Sequence, residues 1–202
     1  MFVQVIRGRT SDPAAIRAAG ERWRQELAPG ATGFLGVTAG STADGETISI
    51  VRFADEAAAR ANSERPEQGA WWEQHMAPFF DGAPTFVESS DTDEFAHGDR
   101  DAATFVQVME GRCNDLAAAR AFETASTDAL EAARPDLLGL FRVNHRDGRF
   151  TQAAYFRSEA DARAGEGAEP DALPAPVAEG MAAYADNLAV ERYLDLTDPQ
   201  LF

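Results

Sequence analysis

The chain has 202 residues, 45% of them hydrophobic and 26% charged, which suits folded domains rather than a disordered chain. Its formal net charge is −16, and all 18 basic residues are arginine. An acidic surface repels phosphate groups, so we expect neither a nucleic acid nor a membrane as a partner. The lack of lysine excludes a Schiff-base or phosphate-loop lysine, and the single cysteine, Cys113, excludes an intrachain disulfide. The three histidines are far apart in sequence, so no metal site is expected, and without a leader or an apolar span a cytoplasmic location is expected.

The first hundred residues predict the order strand, helix, strand, strand, helix, strand. Phe2–Arg9 alternates and is β-branched, Asp12-Pro13 is typical of a helix start, and Asp44-Gly45 is a tight hairpin signal. The predicted elements are a strand at Phe2–Arg9, a helix from Pro13 that Pro29-Gly30 ends, strands at Gly33–Thr38 and Glu46–Phe53, a helix at Asp55–Glu64, a short helix from Glu67 to about Ala77, and a strand at Thr85–Ser90.

The second half of the chain repeats the first at a constant offset, which is 103 residues from Phe2 to Phe105. The segment Phe2–Arg9 recurs as Phe105–Arg112, and Asp44-Gly45 recurs as Asp147-Gly148. The same offset matches Phe53 to Phe156, Glu56-Ala57 to Glu159-Ala160, and Val87-Glu88 to Val190-Glu191. We therefore predict a first repeat at residues 1–93, a linker at 94–104 and a second repeat at 105–202.

The βαββαβ order of each repeat predicts an α+β, ferredoxin-like unit. Its short connections suit an antiparallel four-stranded sheet with both helices on one face, which leaves the other face bare. A second copy in the same chain supplies a partner, and two such sheets packed face to face make a barrel-like core. We expect this intrachain pseudo-dimer to be a monomer, or to pair further as a homodimer.

This pattern resembles the dimeric α+β barrel superfamily and, within it, the antibiotic biosynthesis monooxygenase-like domains. The resemblance covers nearly the whole chain, once per repeat, and rests on element order, the first-strand motif, the Asp-Gly hairpin and the Phe53-x-x-Glu56-Ala57 junction. It implies the barrel architecture. Activities known in the superfamily include cofactor-independent oxygenation of polycyclic phenols and degradation of haem.

The segment 65–75 carries the best candidate chemistry. If it is helical, Trp72, His75 and Phe79 recur at helical spacing and Trp71 lies four residues before His75. The rings would stack on an aromatic ligand, His75 could take a phenolic proton, and Arg65 could stabilise the phenolate. The alternative is that the tryptophans form the core face of a helix and that His75 is a hydrogen-bonded structural residue.

Gln4 and Asn62 are further candidates for ligand binding. Strand alternation puts Gln4 on the same face as Phe2, and its counterpart Gln107 on the same face as Phe105. A buried amide must find partners, so Gln4 bonds either a ligand or neighbouring protein groups. Asn62 lies on the predicted Ala-rich helix.

The sequence thus predicts a protein that binds a small hydrophobic or aromatic molecule. As an enzyme it would be a cofactor-independent, monooxygenase-like oxidoreductase acting on a phenolic or quinol-type substrate. A non-catalytic ligand-binding or interaction protein is the alternative, because Phe53 and Phe156 stand where a tryptophan commonly ends the third strand in related enzymes. Haem binding through His75 is a third possibility, and no cofactor is expected otherwise.

Overall fold

The computed structural model describes residues 1–96, 98–166 and 175–202, with the backbone alone for residues 175–177. His97 of the predicted linker and residues 167–174 of the second repeat lie outside the described residues. The chain divides into two compact units. The first comprises Met1–Asp91 with Asp198–Phe202, and the second comprises Thr92–Thr197.

Apart from two extra strands, the helices and strands follow the order that the repeat predicts. In chain order they are β1 (Phe2–Arg9), α1 (Pro13–Glu26), β2 (Phe34–Ser41), β3 (Glu46–Phe53), α2 (Glu56–Ser63), α3 (Pro66–His75), β4 (Thr85–Ser89), β5 (Thr92–Ala96), β6 (Phe105–Cys113), α4 (Leu116–Ala133), β7 (Leu137–Asn144), β8 (Arg149–Phe156), α5 (Glu159–Glu166), α6 (Ala175–Asn187), β9 (Leu188–Leu196) and β10 (Gln200–Leu201).

The helix starts are specified locally by aspartate caps, as the sequence predicts for α1. The Asp12 carboxylate accepts from the backbone N–H of Ala15, and Pro13 occupies the first turn of α1. Asp55 caps α2 and Asp115 caps α4 in the same way. The hairpin glycines Gly45 and Gly148 both adopt positive φ, as the predicted Asp-Gly turns require.

Each unit contains one antiparallel sheet with helices, so the predicted α+β, ferredoxin-like class is confirmed. The strand order is β10-β2-β3-β1-β4 in the first sheet and β5-β7-β8-β6-β9 in the second. The sheets have five strands, not the predicted four, because β10 pairs with β2 and β5 pairs with β7. Face-to-face packing of the two sheets stays a prediction.

The two extra strands also change the boundaries expected from the sequence. Residues 94–104, predicted as a linker, include most of β5 and a 3-10 turn at Arg100–Ala102. The last five residues, Asp198–Phe202, belong to the first unit rather than to the second. Thr92–Ala96 is mostly polar, so it lacks the apolar alternation that predicts a strand. An edge strand can form without it because it needs few apolar residues.

The strand pairing corrects the equivalence of the last strands of the two repeats. Glu88 of β4 lies opposite Gln4, and Asp195 of β9 lies opposite Gln107. Glu88 therefore corresponds to Asp195, and the predicted match of Val87-Glu88 with Val190-Glu191 is wrong. The offset grows because the second repeat has a longer segment before β9 and a register shift between Glu110 and Gly111 of β6.

Equivalent residues form the core on the helix-facing side of each sheet. In the first unit Phe2, Phe53 and Ala59 are buried together, and Ala59 lies on α2. Their counterparts at the offset of 103 residues are all buried in one cluster of the second unit: Phe105, Phe156 and Ala162. Burial of each phenylalanine contributes about 1.5–3 kcal/mol. Because Gln4 lies two residues after Phe2 on β1, its side chain is on this same helix-facing side.

Candidate functional site

Trp71 anchors α3 to α1. Its side chain is 6% exposed, packs with Ala19 and Leu27, and donates from Nε1 to Oε2 of Glu26 at 3.1 Å. Glu26 also accepts a bond from Arg22, and this bond, followed by that from Trp71, lowers the pKa of the Glu26 carboxyl. Trp71, predicted to bind ligand, is thus already committed to a contact between helices.

His75 lies beside Trp71 at the end of α3. The centroids of the two rings are 5.6 Å apart, and Nδ1 of His75 is 3.2 Å from Nη1 of Arg22. A guanidinium only donates hydrogen bonds, so Nδ1 must accept, which leaves the ring proton on Nε2. In this arrangement His75 presents a donor to its surroundings rather than a base.

Trp72 points to a different group of rings. Its ring centroid is 5.8 Å from that of Phe80 and 5.7 Å from that of Phe86 on β4. We call Trp72, Phe80 and Phe86 the aromatic wall. Trp72 and Phe80 are half-buried, and Phe86 is 53% exposed. Trp72, which the sequence predicts on one face with His75 and Phe79, thus contacts two rings of the segment that follows α3.

The aromatic wall continues into a polar group on the helix-facing side of the sheet. Glu88 is two residues from Phe86 on β4, so both side chains lie on the same face. Nε2 of Gln4 donates to Oε1 of Glu88 at 2.9 Å, and Nη2 of Arg60 on α2 donates to Oε2 at 2.9 Å. Gln4 thus bonds a neighbouring side chain, and we call Gln4, Glu88 and Arg60 the polar end of the wall.

Arg65 and Asn62 together hold the junction of α2 and α3. Nη1 of Arg65 donates to the carbonyl of Leu27 at 3.2 Å and to Oδ1 of Asn62 at 3.1 Å, while Nε donates to Glu67 at 2.9 Å. Asn62 is only 7% exposed. These contacts bond both side chains to neighbouring protein groups at the end of α1, which gives them a structural role.

The second repeat keeps the polar end but changes the wall. Gln107 donates to Asp195 at 3.1 Å and to Glu166 at 3.2 Å, and Arg163 binds both carboxylates. Tyr193, 59% exposed, occupies the position of Phe86, since it pairs with Met109 as Phe86 pairs with Ile6. The sequence has no tryptophan in the second repeat.

A second charged cluster, which the sequence analysis missed, surrounds a buried arginine of the second unit. Arg142 of β7 is 2% exposed and binds the carboxylates of Glu123 on α4 and Asp93 on β5. Nε of Arg142 donates to Asn144 at 3.1 Å, and Asn144 donates to Asp93 at 2.7 Å. Tyr184 of α6 donates to Glu123 at 2.6 Å. We call these five residues the Arg142 cluster.

The partners of the Arg142 cluster shift its titration. Burial alone would lower the pKa of Arg142, but its bonds to Glu123 and Asp93 outweigh burial and raise it. Burial and then the bond to Glu123 raise the pKa of Tyr184. Burial opposes ionisation of Asp93, yet its bonds from Arg120, Asn144 and Arg142 lower its pKa. Every guanidinium nitrogen of Arg142 is bonded within the cluster, so this side chain links α4 to β5 and β7.

One sequence signal points to the Arg142 cluster in retrospect. At the offset of 103 residues, Arg142 and Asn144 replace Ala39 and Ser41 of the first repeat. Polar side chains at two positions on the helix-facing side of a strand need hydrogen-bond partners. Their partners lie on β5, α4 and α6, far away in sequence, so the sequence alone does not identify them.

Comparison with known proteins shows the fold but no family. No family model matches the chain, and no curated protein matches it. Among solved structures, a candidate monooxygenase from Fusobacterium nucleatum matches with a TM-score of 0.68 and 11% identity, covering 99% of this chain and 91% of that one. A candidate monooxygenase from Lactobacillus acidophilus matches with a TM-score of 0.64 and 11% identity, covering 100% and 98%.

A third solved structure, an anthrone oxidase-like protein, matches with a TM-score of 0.65 and 9% identity over 100% of this chain and 91% of that one. These matches extend over both repeats and confirm the ferredoxin-like fold that the sequence predicts. At this identity they concern fold alone. Among the helices of the described residues, none is long and apolar enough to cross a membrane.

Proposed function

We propose that the chain binds a flat aromatic molecule in its first repeat and oxidises it as a cofactor-independent monooxygenase. The observation that carries this proposal is the aromatic wall of Trp72, Phe80 and Phe86, which is partly exposed and ends at the polar group of Gln4 and Glu88. Aromatic side chains left open to solvent beside a few polar groups are typical of a site for an aromatic ligand.

The chemistry suits a site without a cofactor. When an anthrone-type substrate is oxidised to a quinone, one oxygen atom of O₂ becomes bonded to the reacting carbon. The other oxygen atom leaves as water, together with both hydrogens of that carbon. The substrate supplies all the electrons that O₂ takes up. The protein therefore has to bind the substrate, accept a proton from its hydroxyl form and exclude competing water. The neighbours named as monooxygenases and as anthrone oxidase-like support this reaction class.

The proposal is tested by replacing one ring of the wall and its counterpart. Phe86→Leu removes a stacking surface in the first repeat, and we expect affinity for an aromatic ligand to fall about three- to tenfold. Tyr193→Leu makes the equivalent change in the second repeat and should leave affinity unchanged. Calorimetric titration with anthrone-type ligands, together with O₂ uptake and quinone formation, measures both effects. Equal losses in the two variants would contradict a site at the wall.

The same assay tests the roles of His75 and Arg65 independently of the aromatic wall. If His75 accepts the substrate proton, as the sequence suggests, His75→Ala will abolish O₂ uptake while ligand binding persists. Arg65→Ala should lower O₂ uptake only if it stabilises a phenolate. Its bonds to Leu27 and Asn62 predict a loss of stability instead, measured by urea unfolding.

A non-catalytic binding protein is the second candidate function. It is favoured by the bond between His75 and Arg22, which occupies the nitrogen of His75 that would accept a proton. This alternative predicts that aromatic ligands quench tryptophan fluorescence while O₂ uptake stays at the rate of the buffer across the substrate panel. Turnover that depends on Phe86 would exclude it.

A further inference from the structure

Glu88 is placed to meet a ligand that lies on the aromatic wall. It is the next residue after Phe86 on the same face of the edge strand β4, and its side chain is 30% exposed. By contrast, His75, the proton acceptor suggested by the sequence, is bonded to Arg22, and its ring lies tilted beside that of Trp71. The accepting nitrogen of His75 is thus occupied by Arg22, whereas the Glu88 carboxylate lies beside Phe86 of the wall.

The carboxylate of Glu88 retains capacity to accept a further hydrogen bond. Among the described residues, Gln4 donates to Oε1 and Arg60 donates to Oε2, one donor for each oxygen. Each carboxylate oxygen has two acceptor sites, so one site on each oxygen is left for a ligand. The two donors also hold the side chain in place, which reduces the ordering that a ligand would impose.

The charges around Arg60 select the kind of ligand. Arg60 lies between Glu88 and Glu56, at 2.9 and 3.4 Å, so this group of three has a net charge of −1. A carboxylate accepts a bond from a hydroxyl group and repels an anionic ligand. The overall charge of −16 acts in the same direction.

We infer that Glu88 is the catalytic proton acceptor and the specificity residue of the site, and that it selects neutral hydroxyaromatic ligands over aromatic carboxylates. This inference rests on the proposed function. In the proton-transfer step the ligand O–H bond breaks, a new O–H bond forms on the Glu88 carboxylate, and the electron pair stays on the ligand oxygen. The resulting electron-rich phenolate is the species that O₂, the oxidant of the proposed reaction, then oxidises.

The second repeat supplies the matched control. Asp195 lies opposite Gln107 as Glu88 lies opposite Gln4, and it binds Arg163 of α5 as Glu88 binds Arg60 of α2. Replacing Glu88 or Asp195 by its amide removes the same charge from equivalent positions. Only Glu88, however, adjoins a wall that contains a tryptophan.

The test compares 2-naphthol with 2-naphthoate, which share a ring system and differ in the polar group. The wild type should bind 2-naphthol more tightly. In Glu88→Gln we expect 2-naphthoate affinity to rise about tenfold, the size of one charge interaction at a partly exposed site, and 2-naphthol affinity to fall. Asp195→Asn should leave both affinities unchanged. A misfolded variant cannot produce tighter binding, so the gain for 2-naphthoate distinguishes lost charge from lost structure.

The possible results separate this inference from the proposed function. O₂ uptake with a phenolic substrate should fall at least a hundredfold in Glu88→Gln and remain unchanged in Asp195→Asn, by analogy with the usual contribution of a general base, about 10²–10⁴-fold. If the wild type oxidises phenols and Glu88→Gln has the same rate and the same ligand preference, the inference is wrong and the proposed function stands. If the wild type binds neither naphthalene probe and takes up no O₂, both are wrong.

Discussion

At the scale of single residues, two adjacent tryptophans have different roles. Trp71 is buried against α1, and Trp72 lies in the aromatic wall with Phe80 and Phe86. One residue along a helix turns the side chain by about 100°, so neighbours cannot share a face, whereas Trp71 and His75, four apart, do. The sequence spacing predicts the second relation correctly, but which of the tryptophans faces α1 depends on how α3 docks.

The position of Phe80 depends on a glycine of β1. A Cβ placed on Gly8 would lie 2.4 Å from Cδ1 of Phe80, which is closer than atoms can approach. We expect Gly8→Ala to displace Phe80, to weaken binding of 2-naphthol, and to reduce the free energy of unfolding by about 1–3 kcal/mol. Gly69→Ala in α3 is the control, since a Cβ there meets nothing within 4 Å and should stabilise the helix by up to about 1 kcal/mol. Urea unfolding and calorimetric titration measure both variants, and an unchanged affinity in Gly8→Ala would contradict this role of Phe80.

At the scale of secondary-structure elements, the Arg142 cluster joins β5, β7, α4 and α6 of the second unit. The equivalent place in the first repeat is filled differently. Gly20 and Ala39 correspond to Glu123 and Arg142, and Gln200 of β10 bonds the carbonyl of Arg17 and the side chain of Glu21. In both repeats an inward-facing polar residue of the added strand thus ties that strand to the first helix of the unit.

The Arg142 cluster should make the second repeat sensitive to acid. The pKa of Asp93 is lowered in the folded protein, so its ionised form contributes stability above its unfolded pKa of about 3.9. That contribution is lost as the pH falls through the lower, folded pKa. We expect the free energy of unfolding to fall with pH below about 4 less steeply in Asp93→Asn than in the wild type. Asp128→Asn on the exposed side of α4 is the control, and urea titrations at several pH values provide the measurement; parallel profiles for the wild type and Asp93→Asn would contradict the prediction.

Replacing Arg142 should lower the free energy of unfolding more than protonating Asp93 does. Arg142→Met removes the shared cation and leaves the carboxylates of Glu123 and Asp93 without their main partner. We expect a loss of about 3–5 kcal/mol in the free energy of unfolding at neutral pH, the range for a broken buried ion pair. Arg146→Met at the β7–β8 hairpin is a suitable control, and a loss of similar size there would show that the cluster has no special role.

At the scale of the whole molecule, each sheet is completed by a strand that lies outside the βαββαβ pattern. Sheet one includes β10 from the C-terminal end of the chain, and sheet two begins with β5, directly after the first repeat. The backbones of Phe202 and Val37 exchange two hydrogen bonds, at 2.5 and 3.3 Å, and the Phe202 ring packs against Phe34 and beneath Arg24. The C-terminal segment is therefore part of the first unit.

Removing residues 198–202 should destabilise the first unit selectively. The deletion exposes the edge of β2 and the N–H of Val37, whose hydrogen exchange should accelerate. The N–H of Val108 in β6 of the second unit should keep its protection. Phe202→Ala keeps the backbone pairing and should have a smaller effect. Hydrogen exchange followed residue by residue measures this, and equal acceleration in both units would contradict the assignment.

The sequence by itself determined the repeat, the order of elements, the helix caps and the Asp-Gly turns, because these depend on contacts between near neighbours or on an internal copy. Strand alternation alone puts Phe2 on one face with Gln4, and Phe105 on one face with Gln107, and both phenylalanines are buried in the core clusters. Only the tertiary structure decided that Glu88 meets Gln4, that Asp195 rather than Glu191 is its equivalent, and that the Arg142 cluster joins four elements. Those relations join residues far apart along the chain, and the pairing register and helix docking that bring them together are set by packing of the whole unit.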